Sequence, residues 1–347
     1  MTAFSELLSR LIATPSFSRE EHDTAQLLAD FLSERAVPLQ RKHNNVWAAN
    51  FHFDPAKPTI LLNSHHDTVK PNPAYTLDPF DPILREDKLY GLGSNDAGAA
   101  LVSLLAAFLH FYHRPDLTHN LLFAATAEEE ISGLNGVESI LPELGDIALA
   151  IVGEPTLFQM AVAEKGLLVL DCTARGKAGH AAREEGINAI YEALPDIEWF
   201  RSYRFPKVSP ALGPIKMSVT VLQAGTQHNV VPAECRFTVD VRCTDAYSQE
   251  ELLDIIRSQV RAEVQPRSMR LRPSAIPMEH PIVQAGLAMG LSAYGSPTTS
   301  DQALMPFTSI KIGPGDSARS HSADEFVYLQ EIEQGIAGYI QLLEQIL

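Results

Sequence analysis

Histidines and carboxylates stand where short apolar runs stop. Thr59–Asn63 is followed by Ser64, His65, His66 and Asp67, and Asn120–Thr126 by Ala127 and then Glu128, Glu129 and Glu130. Ala148–Val152 leads to Glu154, and Ser309–Ile312 leads through Gly313, Pro314 and Gly315 to His321. A fifth place, Gly91 to Asp96, stands just before a long apolar stretch. Imidazoles and carboxylates are zinc donors. Apolar runs of this length read as buried parallel strands, and in open parallel sheets sites gather beyond the carboxyl ends of the strands. The five places are therefore expected to converge on one rim.

Each signal taken alone has a plainer meaning. An acidic run is usually a solvated face. Glu154 before Pro155 can simply end a strand, and a loop histidine such as His321 is more often a surface residue than a ligand. Taken together, His65, Asp96, Glu130, Glu154 and His321 supply two imidazoles and three carboxylates, a set that suits two zinc ions with one carboxylate shared. Three protein ligands per metal leave a position open for water, which a catalytic site requires and a structural site lacks. Residues i and i+2 at a strand end share a face. Asp67 is thus on the side of His65 and suits the carboxylate that fixes the tautomer of a ligating imidazole. Among three adjacent glutamates, one can ligate while its neighbour faces the water.

The elements that position these residues alternate at both ends of the chain. Helical periodicity covers Phe4–Ala13 and Glu20–Ala36, with Pro15 ending the first. Asn45–Phe51 reads as a strand, Ala97–His113 as a buried helix, and Ile282–Ala293 and Leu329–Ile346 as helices. The middle has its own order: strand Leu167–Ala174, helix Gly186–Ser202, strands Ile215–Gln223 and Cys235–Arg242, helix Ser248–Ala262, strand Ser268–Arg272. That βαββαβ order is the split-βαβ, ferredoxin-like arrangement. The expected architecture is an α/β domain with a mostly parallel sheet and helices on both faces, made from 1–164 and 273–347. An α+β domain, 165–272, is inserted in it.

Composition narrows the partners. The chain has 347 residues, 45% hydrophobic, and a net charge of -16, so it has the material for a large core and lacks the concentrated Lys and Arg that nucleic acid demands. Nothing at the start resembles a secretory h-region. The apolar stretch Ala97–Tyr112 is short for a membrane span, so no membrane partner is expected. Three scattered cysteines, Cys172, Cys235 and Cys243, give neither a disulfide framework nor a thiolate zinc pair. A cytoplasmic address is the expectation.

Several segments, in order along nearly the whole chain, resemble one family: His65–Val69, Asp78–Phe80 with Leu89–Asp96, Thr126–Glu130, Val152–Thr156, Gly176–His180, Asn229–Pro232 leading to Arg242, and His321 with Asp324 and Glu325. The sequence resembles the dinuclear zinc peptidase and deacylase family of the M20 type, which includes acetylornithine deacetylase and succinyl-diaminopimelate desuccinylase. The resemblance implies two Zn2+ per subunit, with Co2+ able to substitute. It makes Asp96 the bridging ligand, pairs His65 with Glu154 and Glu130 with His321, and makes Glu129 the general base with Asp67 orienting His65. It implies that the inserted domain is a lid through which a homodimer forms. His180 would then stabilise the tetrahedral intermediate, often in the partner's site, and Asn229 and Arg242 would contact substrate.

The activity so implied is hydrolysis of an N-acyl-L-amino acid, N-acetyl-L-ornithine first, with desuccinylase, dipeptidase and aminoacylase as rivals. A non-catalytic binding protein on the same scaffold is the reading from another class, and it fits a chain that has lost the base or a ligand. Ser64 stands where the family usually has Gly. Lys70 separates Val69 from Pro71, and Ala97–Ala99 replaces the common Met-Lys-Gly. These departures touch no proposed ligand and bear on the subfamily.

Overall fold

The computed structural model describes residues 2–183 and 185–347. The chain divides into two compact units: Met1–Val162 with Ala275–Tyr294 and Ser300–Leu347, and Ala163–Ser274 with Gly295–Thr299.

The first unit is organised by four parallel strands. Thr59–His65 lies between Asn120–Thr126 and Ile147–Val152, and Ser309–Lys311 pairs with the other edge of Ile147–Val152. Thr59–His65 and Asn120–Thr126 are buried at every position, as strands covered on both faces must be. Antiparallel strands extend the sheet on either side: Asn45–Ala49 beside Asn120–Thr126, and Met160–Glu164 beside Ser309–Lys311. Among the described residues the sheet has nine strands.

Helix Ala99–Phe111 is apolar all round and lies in the largest core cluster, with Leu101, Leu104, Leu105 and Phe108 fully buried. By length and composition Ser94–Phe111 could cross a membrane, but 83% of it is buried inside the fold. It is a core helix, sheathed by protein on the sides a lipid would otherwise cover.

In the second unit, four antiparallel strands run in the order Lys216–Ala224, Glu234–Cys243, Gly166–Arg175, Glu263–Pro266. Numbered along the chain, that order is 2-3-1-4. With helices Ala189–Ser202 and Gln249–Gln259 between the strands, it is the ferredoxin-like βαββαβ arrangement. Gly166–Arg175 alternates buried and half-buried residues. Its inner face meets both helices in a core of Leu168, Leu170, Phe200, Phe237 and Ile256.

Several boundaries differ from the sequence expectation. The last strand of the second unit is Glu263–Pro266, and 268–272 forms no strand. The Asp196 carboxylate accepts the backbone N–H groups of Arg261 and Ala262. The preceding helix thus ends at Gln259, and Val260, Ala262 and Val264 are buried at alternate positions beyond it. Pro266 is tolerated because this is an edge strand. Helix Pro281–Ala288 stops short of Ala293: Gly290 turns left-handed (φ 85°) and Ala293–Ser296 is a strand. Asn45–Phe51 shortens to Asn45–Ala49. Ile83–Arg85, Lys88–Tyr90 and Phe326–Tyr328 form a three-stranded sheet that the sequence does not signal, because strands of three residues are too short to show periodicity.

Candidate metal centre

All four parallel strands deliver a side chain beyond their carboxyl ends. His65 is the last residue of its strand. After Thr126 the chain continues to Glu128, where a left-handed backbone (φ 55°) turns it into the 3-10 turn Glu129–Ile131. Glu128 itself points away, accepting from the amide of Asn135. Glu154 follows Val152, and His321 follows the loop after Lys311. Asp96 comes from the π-type turn Ser94–Gly98 that opens the core helix, and the peptide bond after it is cis. That turn needs glycine at its end: a Cβ on Gly98 would lie 2.4 Å from the Gly93 carbonyl oxygen.

These side chains meet. His65 Nε2 lies 3.3 Å from Asp96, 3.7 Å from Glu154 and 3.9 Å from Glu129. His321 Nε2 lies 3.0 Å from Glu130 and 3.6 Å from Asp96. Asp96 therefore stands between the two imidazoles. Two triads, His65 with Asp96 and Glu130, and His65 with Glu129 and Glu154, have donor atoms within 4.8 Å of one another.

The tautomer of His65 follows from its surroundings. Its Nδ1 faces the carbonyl oxygen of Asp67 at 3.0 Å and the Asp67 carboxylate at 3.4 Å, both acceptors. Nδ1 thus carries a proton, and in the neutral ring Nε2 offers its lone pair to the cluster. Asp67 does more than hold the ring. Its carboxylate also accepts the backbone N–H groups of Glu129 and Glu130 and the Ser18 hydroxyl, so one buried group fixes the imidazole and both glutamates. His66 turns elsewhere, to the Thr24 hydroxyl and the Asn44 carbonyl, and burial pushes it down to about 4.

Charge crowding identifies what the centre is built to hold. Burial pushes Glu154 up to about 8, against the favourable charge of His65. Burial likewise raises Glu129 well above the usual range, with the charges of Glu154, Glu130 and Asp301 adding to it. Burial raises Glu130 too, in spite of its bond to His321. For His65, burial works downward, but Glu129, Asp67, Asp96 and Glu154 outweigh it and raise it well above the ordinary value. Buried carboxylates packed this closely require protons or a cation. Hard oxygen donors with imidazoles in this ratio fit a pair of divalent metal ions.

Glu325, read from the sequence only as part of a closing motif, proves to support this cluster. It is buried, and its carboxylate accepts the backbone N–H of Asn95 and of Asp96, each at 2.9 Å. Asn95 in turn exchanges hydrogen bonds with the backbone of Asp316, stitching the Asp96 turn to the loop that carries His321. No signal in the sequence pointed to Ser18, which needs the tertiary fold to reach Asp67.

His180, Asn229 and Arg242 lie in the second unit. His180 and Asn229 come together on a two-stranded ribbon: Gly179–His180 pairs with Val230–Val231, and Ala181 N–H donates to the Asn229 carbonyl. His180 Nδ1 accepts the N–H of Ala182, which leaves Nε2 of the exposed imidazole as the outward donor. Arg242, at the end of its strand, is forked onto Asp240 at 2.9 and 3.1 Å, and its Nη1 lies 3.4 Å from the Thr299 hydroxyl.

The chain is similar to several characterised proteins. It is 26% identical to a succinyl-diaminopimelate desuccinylase of Stenotrophomonas maltophilia, covering 100% of both chains. It is 29% identical to an acetylornithine deacetylase of Proteus mirabilis, covering 96% of this chain and 94% of that one. Its fold matches an M20 metallo-carboxypeptidase of Sulfolobus solfataricus (TM-score 0.79, 16% identity, 100% and 99% of the chains). It also matches a dinuclear metal-binding M20 peptidase of Bacillus subtilis (TM-score 0.75, 17% identity, 99% and 97%). Residues 61–345 match the sequence pattern of peptidase family M20/M25/M40, and with so much of the chain accounted for, this protein belongs to that family of metal-dependent hydrolases.

Proposed function

We propose that the protein is a zinc-dependent deacylase that hydrolyses the amide bond of an N-acyl-L-amino acid, with N-acetyl-L-ornithine as the first expected substrate. The observation that carries this reading is the placing of Glu129: a carboxyl of raised proton affinity, held by Asp67 beside His65 and next to a donor set with room for two metals. His65, Glu154, Glu130 and His321 would hold the metals, with Asp96 shared. Bound zinc would supply an acidified water and polarise the scissile carbonyl. Glu129 takes the proton of the attacking water and delivers it to the leaving amine. His180 Nε2–H donates to the developing oxyanion, a large catalytic term when the donor is preorganised. Arg242 offers the guanidinium N–H groups left free by Asp240 to the substrate carboxylate.

One observation favours an N-succinyl substrate as the second reading. Lys216 is the direct cross-strand partner of Arg242. Burial, with the positive charges of Lys216 and Arg242, also holds the Lys165 ammonium below its ordinary value. Like charges opposed across strands destabilise a sheet; Asp240 offsets one of them, and a second substrate carboxylate would offset another. Zinc-loaded protein incubated with N-acetyl-L-ornithine and N-succinyl-L-ornithine, with an EDTA-treated control, decides between them. Release of free amine that EDTA abolishes supports the deacylase, and the faster substrate names the acyl group. No release from either compound would reject both substrates and move the search to dipeptides.

The second unit serves as lid and homodimer contact in this reading. Its edge strand Lys216–Ala224 exposes Val221 and Leu222, and helix Ala189–Ser202 exposes Tyr191 and Leu194. An unpaired edge with apolar side chains invites a second copy. Light scattering is expected to give the mass of a dimer, and Leu222→Lys with Val221→Lys to give a monomer that keeps its zinc. A monomeric wild type would reject the contact.

A further inference from the structure

A carboxylate that nothing in the sequence marked lies behind the centre. Asp301 begins the 3-10 turn Asp301–Leu304 and is only 3% exposed. Its Oδ2 accepts Asn63 Nδ2–H at 2.9 Å and the Thr126 hydroxyl at 2.7 Å. Asn63 stands two residues before His65 on the same strand, so the two side chains share a face. Thr126 is the register partner of His65 on the neighbouring strand. Beyond Thr126 the chain runs through Ala127 and Glu128 to Glu129. A single oxygen thus grips the residue behind His65 and the residue beside it, at the root of the turn that carries Glu129.

The tie is placed at the carboxyl end of the ladder between the two strands. The ladder between these two strands ends at the pair His65 and Thr126. Past it, His66 N–H donates to the Thr126 carbonyl, and Thr126 Oγ1 lies 3.3 Å from the Ser64 carbonyl oxygen. A charged acceptor makes hydrogen bonds roughly twice as strong as neutral ones. A misplacement of about 1 Å at a reacting group can cost on the order of a hundredfold in rate.

We infer that Asp301 is a positioning residue: by clamping Asn63 and Thr126 it holds His65 Nε2 and the Glu129 carboxylate at their observed separation of 3.9 Å. Its kinetic consequence rests on the deacylase reading above, whereas its consequence for metal binding does not. Asp301 makes its hydrogen bonds to Asn63 and Thr126 and not to the proposed ligands, so beyond the effect of its charge on Glu129 its grip acts through the strand ends.

The test compares zinc-loaded wild type with Asp301→Ala, Asp301→Asn and Thr126→Val. Each is assayed for steady-state hydrolysis of both acyl-ornithines, zinc affinity against a chromophoric chelator, and thermal melting. Asp301→Ala is expected to lower kcat by about 30-fold with KM within about twofold, and to weaken zinc binding by about tenfold. Thr126→Val moves both in the same direction by about fivefold. Asp301→Asn keeps an acceptor oxygen and is expected to return kcat to within about threefold of wild type. Wild-type kcat and zinc affinity in Asp301→Ala would overturn the inference. An Asp301→Asn as impaired as the alanine variant would also do so, since the clamp's geometry is preserved there. A rise in KM alone would move Asp301 to substrate binding and equally overturn it. If Asp301→Ala does not fold, Thr126→Val and Asp301→Asn decide by the same readouts. If wild type hydrolyses neither compound, the substrate reading fails while the zinc affinities still judge Asp301.

Discussion

Replacing Glu129 by glutamine or alanine is expected to lower kcat by about a thousandfold or more while the protein keeps two metal ions per chain. The geometry makes this more than a routine check, because Glu129 is near enough to His65 and Glu154 to count as a metal donor itself. Two arguments favour the base. His65 with Glu154, and His321 with Glu130, already give each position one imidazole and one terminal carboxylate, and Asp96 stands between the imidazoles to be shared. A further carboxylate would close one position that must stay open to water. Glu129 is also raised well above the usual carboxyl range, by burial first, which strengthens it as a proton acceptor. Metal analysis by plasma mass spectrometry beside steady-state assays separates the roles. Loss of one metal from Glu129→Gln would make Glu129 a ligand, and retained turnover would remove it from the chemistry altogether.

Much of this centre could be read before the fold was known, because its signals are local. An apolar run followed closely by His65, Glu129 or Glu154 says both that the run is a buried parallel strand and that its end is where a site is expected. The βαββαβ order of the second unit was legible for a similar reason: its helices and strands are long enough to show their periods. What stayed hidden depends on contacts between residues far apart in sequence. Asp301 sits in a four-residue turn with no period, and only its bonds to Asn63 and Thr126 give it meaning. Glu325 was visible as a motif, but its task of capping the Asp96 backbone was not. The misplaced strand at 268–272 has the same origin. The helix before it is ended by Asp196, from a different helix, and no local rule contains that information.

The crowding of carboxylates also sets how the metal-free protein responds to pH. EDTA-treated protein is expected to melt at falling temperature as pH rises from about 5 to 9, whereas zinc-loaded protein is expected to change little. In the metal-free fold, burial pushes Glu154 and Glu325 up to about 8 and Asp301 up to about 6, from ordinary values of 4.5, 4.5 and 3.8. These groups therefore bind more protons in the folded chain than in the unfolded one across this window, opposed up to about 6.5 by His66, which burial pushes down to about 4. Stability from these groups is complete below their unfolded values and is lost as pH climbs through the folded ones. His321, lifted from 6.5 to about 9 chiefly by its bond to Glu130, acts with the same sign at the upper end. Asp67 and Asp96 are held below their ordinary 3.8, mainly by His65 acting against burial. Their stabilisation is complete above that value and does not vary within the window. Divalent cations replace the protons as counter-charge, so loading removes the slope and adds the stabilisation of a bound ligand. With about 2–4 °C per kcal/mol for a domain of this size, a fall of about 5 °C or more between pH 6 and 9 is the expected scale. Calorimetric scans of both forms measure it. A metal-free melting temperature that holds steady, or a zinc-loaded form with the same slope, would show that the carboxylates are not arranged around cations.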